Sequence, residues 1–219
     1  MRRVHVVCEG PTELTFVREV LQPWFTALHL IPFLPGKHRG NPHGGDVKYA
    51  RVKPDILRIL KHDRECCCTT LFDYYALGEF PSYEEPRGQS PEEKAARIEN
   101  AVADDVAAEL GAGFDRSRFF CHLSMHEFEG LLFSDPRRLA LGLYRPDLEP
   151  ELAGIRAGVP SPEHIDEDRE TAPSKRLKRV CGSYNKVTGG NVAALTVGIE
   201  AMSRECAHFH GWLAWFDGL

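Results

Sequence analysis

Two carboxylates four residues apart, in the segment Glu9-Gly10-Pro11-Thr12-Glu13, stand directly behind the apolar run Val4-His5-Val6-Val7-Cys8. A third acid, Asp73, ends a second apolar run, Cys67-Cys68-Thr69-Thr70-Leu71-Phe72. Glu127 and Glu129 follow a third run at 118–123. Carboxylates brought together repel one another and are costly unless a cation neutralises them. An all-oxygen set suits Mg²⁺ or Mn²⁺, and a pair of such ions activates water and stabilises the leaving oxygen in phosphodiester cleavage. Taken singly, Glu13 and Glu129 have a plainer role as acids in a first helical turn. The recurrence of an acid after each of these runs is what points to a shared site.

Those acids need strands that end side by side. The first run, bounded by Gly-Pro, reads as a buried strand closing in a sharp turn. Leu14, Val17, Val20, Leu21, Trp24, Phe25 and Leu28 then recur at helical spacing, with Thr12 as N-cap and Glu13 in the first turn. Residues 28–34 form a further apolar segment. A helix is expected over 47–63 with a break near Pro54, and a buried strand over 67–73. Ser90-Pro91-Glu92-Glu93 carries a helix start, with Ser as N-cap, Pro in first position and an acid three residues after the cap. That helix should run to Leu110 and stop at Gly111 or Gly113. A third strand is expected over 118–123. Alternating strands and helices predict an α/β fold whose sheet is mostly parallel, with helices on both faces. In such a sheet the strand ends share one edge, where open α/β sheets place their sites. Beyond Asp135 only helical patterns and loops follow, and 160–173 reads as an exposed acidic linker. The expected division is an α/β core over 1–135 and a helical extension over 136–219 packed on it, the two forming one structural unit. Core positions include Val6, Val7, Leu71, Phe72 and Phe120.

Composition narrows the partners. The chain has 219 residues, 42% hydrophobic and 27% charged, enough for one sizeable core. A net charge of −5 argues against a protein that coats DNA nonspecifically, while leaving room for a local basic patch. The 7 cysteines form no C-x-x-C pair and no secretory leader is evident, so reduced thiols of a cytoplasmic protein are expected rather than a zinc site. No apolar stretch is long enough to span a bilayer. A homo-oligomer is compatible with the sequence.

Four phrases together carry a family resemblance. Val7-Cys8-Glu9-Gly10-Pro11-Thr12-Glu13, Phe72-Asp73-Tyr74-Tyr75, the stretch from His126-Glu127-Phe128-Glu129 to Ser134-Asp135, and Ala172-Pro173-Ser174-Lys175-Arg176 followed by Tyr184-Asn185-Lys186 are similar to an uncharacterised bacterial Toprim-like family. Toprim domains occur in topoisomerases, primases and the overcoming-lysogenization-defect nucleases. The resemblance runs from about Arg3 to Phe216. It implies a Toprim-like sheet, a phage-defence setting, an ATPase partner, and DNA or RNA as substrate. By position, Glu9 matches the first-motif glutamate, Glu13 the second acid of the defence nucleases' Glu-Gly-x-x-Glu form, and Asp73 the first aspartate of the second motif. Glu127 and Glu129 resemble the later acid-x-acid motif. The family's usual Asp-x-Asp is here Asp73-Tyr74-Tyr75, and a protonated phenol is a poor Mg²⁺ ligand. Either Glu129 or Glu79 replaces the missing acid, or the chain is a catalytically silent binding or sensor subunit.

In this reading Glu9, Asp73 and Glu127 bind the principal ion, and Glu13 and Glu129 assist at a second position. The basic run Ser174-Lys175-Arg176-Leu177-Lys178-Arg179, with Lys186 beyond it, supplies phosphate contacts, and Lys175, Arg176 or Lys186 steadies charge on the cleaved phosphate. The alternative is a solvated helix face. Lys37, His38, Arg39, His43 and Lys48 lie in or beside a Gly-rich loop suited to close backbone approach and nucleic-acid binding. His126 reads as a cap or packed ring, and His208, Phe209, His210, Trp212 and Trp215 as the docking face of the last helix.

Overall fold

The computed structural model describes residues 1–36, 47–83, 89–165 and 171–219. Strand β1 (Arg2–Cys8) leads through the Gly10 turn into helix α1 (Pro11–Phe16), which continues through a π-helical turn (Val17–Leu21) into α2 (Gln22–Trp24). β2 (Leu28–Phe33), α3 (Tyr49–His62), β3 (Cys67–Asp73) and α4 (Pro91–Leu110) follow, then the two short strands β4 (Phe119–Phe120) and β5 (Leu123–Ser124). The strand order is β2-β1-β3-β4, with β5 also on β3, and every pairing is parallel. This is the α/β architecture the alternating pattern called for.

Side chains of β1 and β3 alternate between two cores, as strand geometry requires. Val4, Val6, Cys8, Cys67 and Leu71 face one core, shared with α1 and with helices from the second half of the chain. Val7, Cys68 and Phe72 face the other, against Val52, Ile56 and Leu60 of α3 and Ile98, Val102 and Val106 of α4. Burial on both faces explains why these strands are apolar runs rather than alternating patterns. Phe120 is half-buried at the margin, and all 7 cysteines are buried and free.

After a 3₁₀ turn at Phe128–Ser134 come α5 (Pro136–Gly142), α6 (Glu149–Ala157), α7 (Pro173–Val180), α8 (Thr188–Val197), α9 (Ile199–Glu205) and α10 (Ala207–Asp217). They fill the first core with Leu139, Leu152, Leu177, Met202, Phe209, Trp212 and Phe216, so the helical extension and the sheet share one interior. Among the described residues no helix is long and apolar enough to cross a membrane.

Several local expectations are corrected. Gly10, not Thr12, is the N-cap of α1; Glu13 reaches back to accept from Gly10 N at 2.9 Å, while Thr12 is buried inside the first turn. Trp24 stays 47% exposed and so falls out of the apolar stripe, whereas Phe25 is buried as expected, and Leu28 begins β2. Pro54 does not break α3, which runs through it at the cost of one backbone bond. The third strand is split: the Thr70 hydroxyl donates to His122 O (2.8 Å) and accepts from His122 N (2.9 Å), taking the place of a ladder partner. The presumed linker is partly core, since Ile165 is buried and the Glu163 carboxylate caps α10 by accepting from His208 N and Phe209 N. The Ser90–Glu93 capping box and the stop at Gly111 (φ 84°) stand as read.

Candidate metal centre

Parallel pairing puts the ends of β1, β3 and β5 on one edge, and the acids meet there. Glu9 N continues the ladder by donating to Leu71 O at 3.1 Å, and Glu9 Oε2 accepts from Asp73 N at 2.8 Å. Asp73 Oδ1 accepts from Phe128 N at 2.8 Å, tying the end of β3 to the start of the 3₁₀ turn that carries Glu129. That turn is entered through an unusual backbone: His126 has φ 62°, and Glu127 N donates to Met125 O across it at 2.8 Å. A non-glycine residue held in a three-residue turn of this hand is strained, of the order of 1–3 kcal/mol, and such strain gathers at functional sites. The His126 ring packs on Tyr75 and Tyr74, 5.5 and 6.4 Å between centroids, as a packed ring rather than a ligand.

Lys186 occupies the middle of the cluster. Its Nζ lies 3.1 Å from Asp73 Oδ2, 3.3 Å from Glu129 Oε2 and 3.9 Å from Glu13 Oε1. Glu129, fully buried, also accepts from the Tyr184 hydroxyl at 3.2 Å. Glu127 turns away from the lysine: its carboxylate accepts from Ser174 N (2.8 Å) and Ser174 Oγ (3.0 Å), capping α7. The expected grouping is therefore redrawn, with Asp73, Glu13 and Glu129 around one centre, Glu9 behind Asp73, and Glu127 at the rim.

Burial raises the Glu9 carboxyl to about 8, with repulsion from Asp73 second. Burial and then Asp73 raise Glu13 to about 7. Glu129 is also pushed to about 7 by burial, against the pull of Lys186. Asp73 is raised by burial despite its ion pair with Lys186. Burial works against charge on Lys186, but Asp73, Glu129 and Glu13 together outweigh it and hold the ammonium firmly protonated. Glu9 is displaced further than Glu13, whose place in the first turn of α1 favours its charged form.

Two oxygens point into this space without a hydrogen bond, Glu13 Oε1 and Glu129 Oε2, the latter near Nζ but off the angle a bond requires. A buried, under-satisfied oxygen set fits a hard divalent cation. Among the described residues, the ligand atoms of a different set, Glu99, His122 and His208, lie within 4.8 Å of one another. That second cluster is built differently. Glu99 Oε1 already accepts from His208 Nε2 (2.8 Å) and Leu123 N (2.9 Å), and the His122 ring lies stacked between Trp212 and His208. The ring stacking and the Glu99–His208 hydrogen bond lock α10 to α4.

The remaining candidates fall outside the cluster. Lys175 is exposed on α7, Arg176 donates to Thr171 O at 2.7 Å, and Lys48 is exposed at the start of α3. Glu79 is exposed and does not replace the missing acid. Tyr74 is buried against Tyr83. Lys37, His38, Arg39 and His43 lie outside the described residues. Sequence reasoning missed Tyr184 and Ser174 as partners of Glu129 and Glu127; both sit in the last of the four phrases quoted above, which is the signal that was there.

A family model described as a domain of unknown function matches residues 8–217. Neither the curated proteins nor the solved structures contain a significant match.

Proposed function

The chain belongs to the DUF4276 family, and we propose that it is a Mg²⁺- or Mn²⁺-dependent phosphodiester hydrolase of the Toprim kind. It acts on DNA or RNA in the bacterial cytoplasm as part of a phage-defence system with an ATPase partner. The observation that carries this reading is a buried carboxyl cluster short of cations: among the described residues Asp73, Glu129 and Glu13 crowd one ammonium, Glu9 stands behind Asp73, and two oxygens are left without a hydrogen bond. Asp73, Glu129 and Glu13 would hold the cation, which supplies charge neutralisation and an acidified water. Asp73 is fixed for that task by Phe128 N, Glu129 by the Tyr184 hydroxyl, and Glu9 orients Asp73 through its backbone N–H. Lys186, freed from its carboxylate partners, steadies charge on the phosphate oxygens. The test is nicking of supercoiled plasmid in Mn²⁺ by the wild type, Glu9→Ala and Asp73→Ala. Wild-type nicking that both substitutions abolish is expected; equal nicking by all three removes the site.

A second reading, a silent binding or sensor subunit, is favoured by two features. Tyr74 and Tyr75 pack instead of ligating, and Lys186 already stands where an ion would sit. Calorimetry with Mn²⁺ separates the readings, because a lysine-filled silent site takes up no ion.

A further inference from the structure

A cavity of about 240 Å³ lined by residues of α5, α8 and the turn before α8 adjoins the carboxylates; Tyr144, Ser183, Tyr184, Asn185, Thr188 and Val192 form much of its wall. Tyr184 is common to both places, since its ring borders the cavity while its hydroxyl donates to Glu129. Tyr144 is 82% exposed and sits at φ 56°, the left-handed position that closes α5, where Tyr144 N donates to Leu141 O and Arg145 N to Ala140 O (both 2.9 Å); glycine is the usual residue there, and here a large aromatic ring is held in water instead. Val187, Val192 and Leu195 extend an exposed apolar surface beside it. Asn185 Oδ1 accepts from Val187 N, Thr188 N and the Thr188 hydroxyl, which fixes the amide and leaves its Nδ2 donors without a partner among the described residues. Finally, Lys175, Lys178 and Arg179 occupy the i, i+3, i+4 positions of one exposed face of α7. That helix runs from Ser174, bonded to Glu127, to Cys181 at the cavity wall.

We propose that this cavity receives one unpaired base of a single-stranded nucleic acid, stacked on Tyr144, with the adjoining phosphates following Lys178 and Lys175 toward Asp73 and Lys186. The inference rests on the phosphodiester reading above and names the form of its substrate. A space below the about 300–1,000 Å³ of drug-sized sites takes a single ring system and not a duplex. Exposed aromatics bind bases through their faces, amide donors meet base-edge acceptors, and a cationic helix face tracks a phosphate backbone. A base inside a duplex reaches such a cavity only by leaving its stack, which favours unpaired strands.

The test is fluorescence anisotropy of a short labelled oligothymidylate in Ca²⁺, with cleavage followed on gels in Mn²⁺. Tyr144→Gly relieves the positive φ, so it should melt at or above the wild-type temperature while binding roughly tenfold more weakly. Tyr144→Trp should bind as the wild type does. The same strand annealed to its complement should bind less tightly, and an abasic strand should bind wild type and Tyr144→Gly alike. Equal binding of the oligothymidylate by wild type and Tyr144→Gly overturns the proposal. So does an absence of oligonucleotide binding by a wild type that takes up Mn²⁺, which would leave the exposed patch to a protein partner. If Tyr144→Gly loses binding and the wild type never cuts, the base site stands and the hydrolase reading falls.

Discussion

At the scale of single residues, the carboxyl of Glu9 is the group most open to measurement. Its folded value of about 8 lies far above the ordinary glutamate value, so folding takes up a proton between roughly pH 4.5 and 8 and the metal-free protein loses stability as pH rises through that window. Glu9→Gln keeps an oxygen for Asp73 N but cannot ionise. In EDTA it should match the wild type near pH 4.5 and exceed it by about 1–2 kcal/mol at pH 9, read from urea midpoints. Parallel stability profiles for the two proteins across that range would show that Glu9 is not shifted. Lys186 has the opposite role. Lys186→Gln leaves Asp73, Glu129 and Glu13 without their counterion, and because the lysine side chain is 37% exposed the loss should be about 2 kcal/mol, below the usual 3–5 for a broken buried pair. Mn²⁺ should then raise the melting temperature of Lys186→Gln more than that of the wild type. An equal rise in both would mean that lysine and ion do not share the position.

At the scale of elements, α10 is fastened to the rest by polar contacts that lie far apart in sequence. Burial works against charge on His208, but the hydrogen bond and charge of Glu99 outweigh it and its value is raised. Its stabilising contribution is therefore complete below about pH 6.5 and fades as pH climbs through the folded value. His208→Ala should cost about 1–2 kcal/mol at pH 6 and visibly less at pH 9; a loss independent of pH would assign the contact to packing alone. This lock also marks where sequence reading stops. β1 and β3 were legible because buried parallel strands are unbroken apolar runs, and α4 because its cap and stop are local signals. The acids after each strand could be assigned to one edge once a parallel sheet was expected. The split between β4 and β5 was not legible, since the Thr70 hydroxyl that replaces a ladder bond looks like any threonine in a strand. Nor was the choice of Lys186 over Lys175, which depends on how the turn before α8 folds back over the sheet edge. Pairings such as His208 with Glu99, 109 residues apart, leave no periodic trace.

At the scale of the whole molecule, the division at residue 135 separates two patterns of sequence but not two cores. Val4, Val6, Phe16, Val17, Leu21 and Phe25 pack in the same interior as Leu177, Met202, Phe209, Trp212 and Phe216. Trp212 Nε1 donates to Thr69 Oγ1 at 2.8 Å inside β3, and Phe25 stacks on Phe216 with centroids 4.8 Å apart. The candidate site is divided in the same way: Glu9, Glu13, Asp73, Glu127 and Glu129 come from the first part, whereas Ser174, Tyr184 and Lys186 come from the second. A fragment of residues 1–135 would thus expose one whole face of β1 and α1. At about 1.5–3 kcal/mol for each large apolar side chain, losing burial at six of them costs about 9–18 kcal/mol, as much as the entire stability of a domain. The fragment would also keep its acids while giving up their only nearby ammonium among the described residues. It should show no cooperative thermal transition by calorimetry and should bind an exposed-surface dye. Adding residues 136–219 as a separate chain should not restore Mn²⁺ uptake unless the two associate and a single transition returns. A fragment that melts cooperatively on its own would establish the sheet as an independent domain and reduce the helices to an appendage that merely lends Lys186 to the site.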